Sequence, residues 1–210
     1  MLRIDETSKT LVAPPAGGLV TEANPDRDEV LALVSSSWEA FAGELGQPSL
    51  RFVGQGQVPG LDLLAFDEQA GRAVVVGVSS DVAAAQLSDV LSAAAAVAGM
   101  DAAALASVHD SLQAAVPGDS PQIVLLASSF EARTLNTVDW LTRRHGLEIS
   151  CYVLTVFRFG SERLLSIRRE YPARDAAHTD PAAEVQRLLT GVATNGHDES
   201  NGHSTPPPAL

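Results

Sequence analysis

The apolar positions of the chain fall into blocks, some recurring at helical spacing and some running unbroken for the length of a strand. In residues 24–46, NPDRDEVLALVSSSWEAFAGELG, Val30, Leu33, Val34, Trp38 and Phe41 share one helical face. Asn24 or Asp26 is placed to cap that helix, and Pro25 suits its first turn. Acids at 26, 28 and 29 complement its dipole, and Gly43 and Gly46 punctuate its end. From Leu50 the period changes: LRFVGQGQV, LDLLAFD and RAVVVGVSS read as three strands, the last two joined by the turn DEQAGR. DVAAAQLSDVLSAAAAVAG predicts a helix stopped by Gly99, and DAAALASVHDSLQAAV a second one ended by Pro117-Gly118. QIVLLASS has the length and flanks of a buried strand. FEARTLNTVDWLTRRHG is an amphipathic helix closed by Gly146, LEISCYVLTVFRF another apolar strand, and RLLSIRREY an edge strand beyond a GSE turn.

Strands alternating with helices predict a layered α/β fold around a mixed sheet of about five strands. Residues 1–24 form an arm, with a short apolar stretch at Leu11-Val12 before the loop signal APPAGG. This arm either adds a strand or wraps a neighbour. Beyond Tyr171 the chain turns polar. Residues 173–210 hold at most a short helix, PAAEVQRLL, before a low-complexity tail expected to be disordered. The tail repeats Asn-Gly-His twice, and two flexible histidines supply too few ligands for a metal.

Composition narrows the class. A chain of 210 residues can bury one core of ordinary size, and 5% aromatic content leaves that core to aliphatic and alanine packing. A net charge of −12 weighs against a protein built to coat nucleic acid and favours a partner surface or a small ligand. Cys151 is the single cysteine, so no internal disulfide is available and nothing points to an oxidising compartment. No apolar run reaches the roughly 20 residues of a membrane span, and the expected location is cytoplasmic.

The chemistry worth weighing lies in the hairpin GLDLLAFDEQAGRAVVVGVSS. Metal-dependent nucleases hold Mg²⁺ with carboxylates near strand ends and use a lysine to activate water. A hairpin supplies them as an acid on the first strand and an acid-x-Lys on one face of the second, since side chains repeat with period two. Asp62 stands at the first position, but Gly77 and Ser79 stand where the acid and lysine belong.

With these residues the chain resembles the PD-(D/E)XK, restriction-endonuclease-like superfamily. It is most similar to small bacterial proteins related to the nuclease domain of archaeal and actinobacterial mismatch endonucleases. LDLLAFDEQAGRAVVV follows the family's strand–turn–strand pattern. The downstream QIVLLASSFEARTLNTVDWLTRRHGLEISCYVLTVFRFG and the N-terminal LRIDETSKTL are also similar, so the likeness covers about residues 1–172. The resemblance implies an α/β/α sandwich and carries the family's strand acid onto Asp62 and its first-helix acid onto Asp26 or Glu29. The family's Glu-x-Lys falls on Gly77 and Ser79, and its helix Gln and Tyr, four apart, fall on Val90 and Ala94. Without those four groups Mg²⁺ is weakly held and water unactivated. The expectation is a pseudonuclease with no catalytic residues and no cofactor, acting as a scaffold or regulator on a protein partner or as a homodimer. The alternative is a nuclease or nucleic-acid binder with an altered site, using Asp26 or Glu29, Asp62 and Asp81 with Mg²⁺ or Mn²⁺.

Blander readings stand beside these. Asp62 also reads as a strand-start acid capping a turn, and Asp67 and Glu68 as solvated turn residues. Ser79-Ser80-Asp81 reads as a helix cap, His109 as a surface or partly packed side chain, and Cys151 as a small core residue. Arg143, Arg144, Arg158, Arg163, Arg168, Arg169 and Arg174 crowd the last third of the ordered chain. They suit either a local nucleic-acid patch or an ordinary solvated helix end and edge strand.

Overall fold

The computed structural model describes residues 2–5, 10–12, 20–23, 26–79, 84–159 and 162–172, with side chains for 26–79, 86–157 and 163–172. Nine strands form one mixed sheet: β1 (Leu2–Asp5), β2 (Thr10–Val12), β3 (Val20–Ala23), β4 (Leu50–Gln55), β5 (Leu63–Asp67), β6 (Arg72–Ser79), β7 (Gln122–Ala127), β8 (Ile149–Phe159) and β9 (Glu162–Tyr171). The helices are α1 (Arg27–Ser36), α2 (Trp38–Leu45), α3 (Ala84–Ala98), α4 (Ala102–Val108) and α5 (Ala132–His145). The strand order is β2-β1-β9-β8-β7-β6-β5-β4, with β3 also pairing with β8. β6, β7 and β8 run parallel and the remaining pairings are antiparallel.

The expected mixed α/β character is present, but the sheet exceeds the anticipated five strands because the arm contributes three. Leu2–Ile4 pair with β9 and Val20–Ala23 with β8. β9 is therefore not an edge along its first residues, where Arg163–Leu165 lie between β1 and β8.

Two predicted helices are each broken. Residues 26–45 form α1 and α2 with the break at Ser37. Three consecutive serines cause it: the Ser35 and Ser36 hydroxyls donate to the Leu31 and Leu33 carbonyls, at 2.7 and 3.2 Å, and such back-bonding weakens a helix end. Residues 102–114 form α4 and a 3-10 turn, separated by an extended His109. The His109 ring accepts the Ser111 amide at 3.2 Å and so starts the second piece.

Strand alternation sorts the core into two clusters. Leu63, Ala65, Val74, Val76, Val78, Leu126 and Leu154 pack with Val30, Leu33, Val34, Trp38 and Phe41 of α1 and α2. Leu64, Phe66, Val75, Leu125 and Cys151 pack with Leu87, Val90, Ala94 and Val97 of α3, Leu105 of α4 and Val138 of α5. The central strands are buried on both sides, which is why they read as continuous apolar runs. No single helix among the described residues is long and apolar enough to cross a membrane.

Candidate functional site

The register of the β5–β6 hairpin pairs Leu63 with Val76, so Asp62 comes beside Gly77 at the end where β6 runs parallel to β7. Gly77 follows Ala73 and Val75 on the face covered by α3. A Cβ at Gly77 would lie 2.3 Å from Val90 Cγ2 and 3.2 Å from Gln86 Nε2. The absence of a side chain at 77 and the presence of a branched one at 90 are thus one packing solution. Val90 and Ala94 are buried core residues, and neither offers a polar group to the site. Ser79 ends the strand, half-buried.

Asp62 is not a solitary turn acid. Its side chain is only 10% exposed, and three donors converge on it. The Val78 amide donates to Oδ2 at 2.6 Å and Gln86 Nε2 donates to the same oxygen at 3.2 Å. Arg27 Nη2 donates to Oδ1 in an ion pair, while Arg27 Nε donates to the Val78 carbonyl at 3.2 Å. The guanidinium therefore bridges α1 to both strands of the hairpin. It lies against the carboxylate, where a ligated metal ion would have to sit.

The other acids expected nearby do not join Asp62 in a ligand cluster among the described residues. Asp26 is exposed at the head of α1 and makes no side-chain cap. Glu29 is held by both terminal nitrogens of Arg163, Nη2 donating to Oε2 at 2.9 Å, which ties α1 to β9. Asp81 and the cap expected from Ser80 lie outside the described residues. No group of three metal-ligating side chains exists among the described residues. The Mg²⁺ that the resemblance implies requires several oxygen ligands, more than one of them carboxylate. One carboxylate already accepting from a guanidinium, an amide N–H and a side-chain amide does not fit that ion.

Two further expectations change. Asp67 is buried rather than solvated: its Oδ1 accepts from Ser49 Oγ at 2.8 Å and from the Gln69 and Ala70 amides at 3.0 and 3.2 Å, fixing the hairpin turn. Its neighbour Glu68 pairs with Arg51 at 2.9 Å. At the opposite end of β6, Arg72 and Glu148 form an ion pair. Their hydrogen bond is the main cause that raises the Arg72 pKa and lowers that of Glu148. Burial pushes the Cys151 thiol up to about 12, with the Glu170 charge adding to it, so this is an inert core group. His109 is exposed and used as a cap.

The arginines of the last third are mostly committed to partners on different parts of the surface. Arg143 Nε donates to Asp139 at 2.7 Å, and Arg168 pairs with Glu170 at 2.6 Å. Arg169 donates to Ser150 Oγ at 3.2 Å and lies 5.6 Å over the Tyr152 ring. Arg168 and Arg169, being consecutive in β9, project to opposite faces of the sheet. Arg144 is exposed, without an ion pair among the described residues. The Arg158 side chain and Arg174 lie outside the described residues.

Sequence reasoning missed Arg27 and Gln86. A basic residue at the first position of a helix opposes the dipole, and that anomaly was the available sign of a fixed anionic partner. Gln86 lies one turn before Val90 on α3, and no local pattern marks it as the side chain whose amide reaches Asp62. Comparison with protein-family models, curated proteins and solved structures finds no match to this chain.

Proposed function

We propose that this protein is a non-catalytic nuclease-like module, an α/β/α sandwich of the restriction-endonuclease-like kind that acts as a scaffold or regulator of a protein partner. The observation that carries this reading is the saturated Asp62 carboxylate beside a Gly77 with no room for a side chain. Hydrolysis of a phosphodiester needs a held cation and an activated water. Here the single strand acid is neutralised from within by Arg27, and the acid-x-Lys positions carry neither charge nor base. In this reading Gln86 and Val90, four apart on α3, stand at the family's helix Gln and Tyr positions, one turn earlier than the sequence alone suggested.

The test is direct. The purified protein and an Asp62→Ala variant are incubated with single- and double-stranded DNA and RNA in Mg²⁺ and then Mn²⁺, and Mn²⁺ retention is followed by electron paramagnetic resonance. The expected result is no cleavage and no retained Mn²⁺ in either protein. Cleavage that disappears in the variant would overturn the reading and restore the altered-site nuclease, with Asp62 at its centre.

A further inference from the structure

Trp140 is one of two large apolar side chains left open among the described residues, 54% exposed on the outer face of α5. Its ring meets the His145 ring edge-on, at 4.3 Å between centroids. A lone exposed tryptophan needs no explanation. This one has company. At 100° per residue, Arg133, Thr137, Trp140 and Arg144 fall on one narrow stripe of α5. Arg133 and Arg144 are exposed and carry no ion pair among the described residues, although the whole chain has a net charge of −12. They flank the indole about 16 Å apart along the axis.

The stripe also borders a groove between α3 and α5. Leu87, Ser88 and Leu91 on one side and Arg133, Thr134 and Thr137 on the other line an open space of about 260 Å³. Arg133 and Thr137 belong to both features, so the groove, with Leu87 and Leu91 on its α3 side, opens directly onto the basic stripe. This combination selects its occupant. An apolar side chain entering the slot meets Leu87 and Leu91, a larger apolar surface covers the indole, and carboxylates answer the two guanidinium groups. Arginine and tryptophan are also the residues that most often dominate protein interfaces.

A second copy docked by this face would oppose the same cations, which disfavours a symmetric dimer here. A nucleic-acid strand would want a continuous row of cations, whereas Arg143, Arg163 and Arg168 are each paired with an acid. We infer that the α3/α5 face docks an acidic amphipathic helix of another protein. Its apolar ridge would lie in the slot and on Trp140, and two carboxylates about three turns apart would meet Arg133 and Arg144. The inference names a partner for the non-catalytic module proposed above and rests on that reading.

The probe is a synthetic amidated peptide of about 18 residues, with leucines at helical spacing and glutamates eleven positions apart. Binding to the full chain is read from the emission of Trp140, since Trp38 is buried at 7% exposure, and from the anisotropy of a label on the peptide. The expected result is a saturable blue shift that weakens about tenfold in an Arg133→Glu, Arg144→Glu double variant. Labelled-peptide binding should fall by a similar factor in Trp140→Ala, with circular dichroism of both variants unchanged. No shift at millimolar peptide, equal binding of a lysine-for-glutamate peptide, or indifference to the charge reversal would each overturn the inference. So would preferential binding of a twelve-nucleotide oligothymidine that the peptide cannot displace, which would make this a nucleic-acid face. Cleavage of nucleic acid by the same samples would instead overturn the non-catalytic reading, whatever the peptide does.

Discussion

The Asp62 cluster and the outer face of α5 are made from similar side chains, an arginine, hydrogen-bonding polar groups and aliphatic neighbours, and they use them in opposite ways. Around Asp62 the donors are supplied by the chain itself: Arg27, Gln86 and the Val78 amide converge on one carboxylate, and Val90 occupies the space beside Gly77. On α5 the guanidinium groups of Arg133 and Arg144 carry no ion pair among the described residues, the Trp140 ring is more than half exposed, and an open groove adjoins them. A site that must take up a ligand needs unsatisfied groups held in place. By that standard the position where the nuclease resemblance points is closed by its own residues, and the open chemistry lies on a helix face that the resemblance does not mark.

The largest effect tests the closed region. Gly77→Glu would place an acid where the nuclease resemblance expects one, and its Cβ alone would sit at 2.3 Å from Val90 Cγ2. Overpacking and a buried charge together should cost about 3 kcal/mol or more. Urea denaturation should show that loss, and adding Val90→Ala should recover part of it by opening the space. A Gly77→Glu protein as stable as the parent would mean that α3 moves freely, and the contrast with α5 would collapse.

The second effect separates the ion pair from the packing. Asp62→Ala leaves the Val78 amide and Arg27 without their acceptor, and a loss of about 2 kcal/mol is expected. Arg27→Ala should cost less, about 1 kcal/mol, because that side chain is 45% exposed and solvent screens it. The double variant should lose clearly less than the two single losses added together, since the groups share one interaction. Strict additivity in the cycle would show that Arg27 is a surface decoration rather than the internal counter-ion of Asp62.

These two experiments also mark where the sequence was readable. Strand and helix identities followed from periodicity because β5, β6 and β7 are buried on both faces and α5 is strongly two-faced. The positions of Asp62, Gly77 and Ser79 at one end of the hairpin followed from period-two alternation. Less legible were effects set by contacts between distant segments. Arg27 reaches Asp62 across 35 residues and Glu29 reaches Arg163 across 134, and no local pattern announces either pair. The three strands of residues 2–23 are short, and their places depend on β8 and β9 rather than on their own propensity. The breaks at Ser37 and His109 came from side chains competing with the backbone, a signal present in the serine run but outweighed by the continuous apolar face.

A smaller effect comes from the other end of β6. Glu148 has a lowered folded-state pKa, so its contribution is present above the ordinary carboxylate range and is lost as pH falls through the lowered value. With Glu148 57% exposed, the amount is held below about 1 kcal/mol. The stability difference between the parent and Glu148→Gln should therefore shrink towards zero as pH falls from the ordinary carboxylate range through the lowered value. A difference that grew on acidification would mean that the pairing with Arg72 does not hold the carboxylate ionised.

The smallest stability effect belongs to the open region, and its smallness is the point. Trp140→Ala removes a ring that is more than half in solvent, and Arg144→Ala removes a charge with no ion pair among the described residues. Both should change unfolding free energy by no more than about 0.5 kcal/mol, as surface substitutions do. Groups that contribute little to the fold are free to be spent on a partner, whereas Arg27 and Asp62 are not. A loss of 2 kcal/mol or more at Trp140 would place the ring in the structural core of α5 and remove the distinction between the two regions. A silent substitution that still abolishes peptide docking would separate stability from recognition at the level of single side chains.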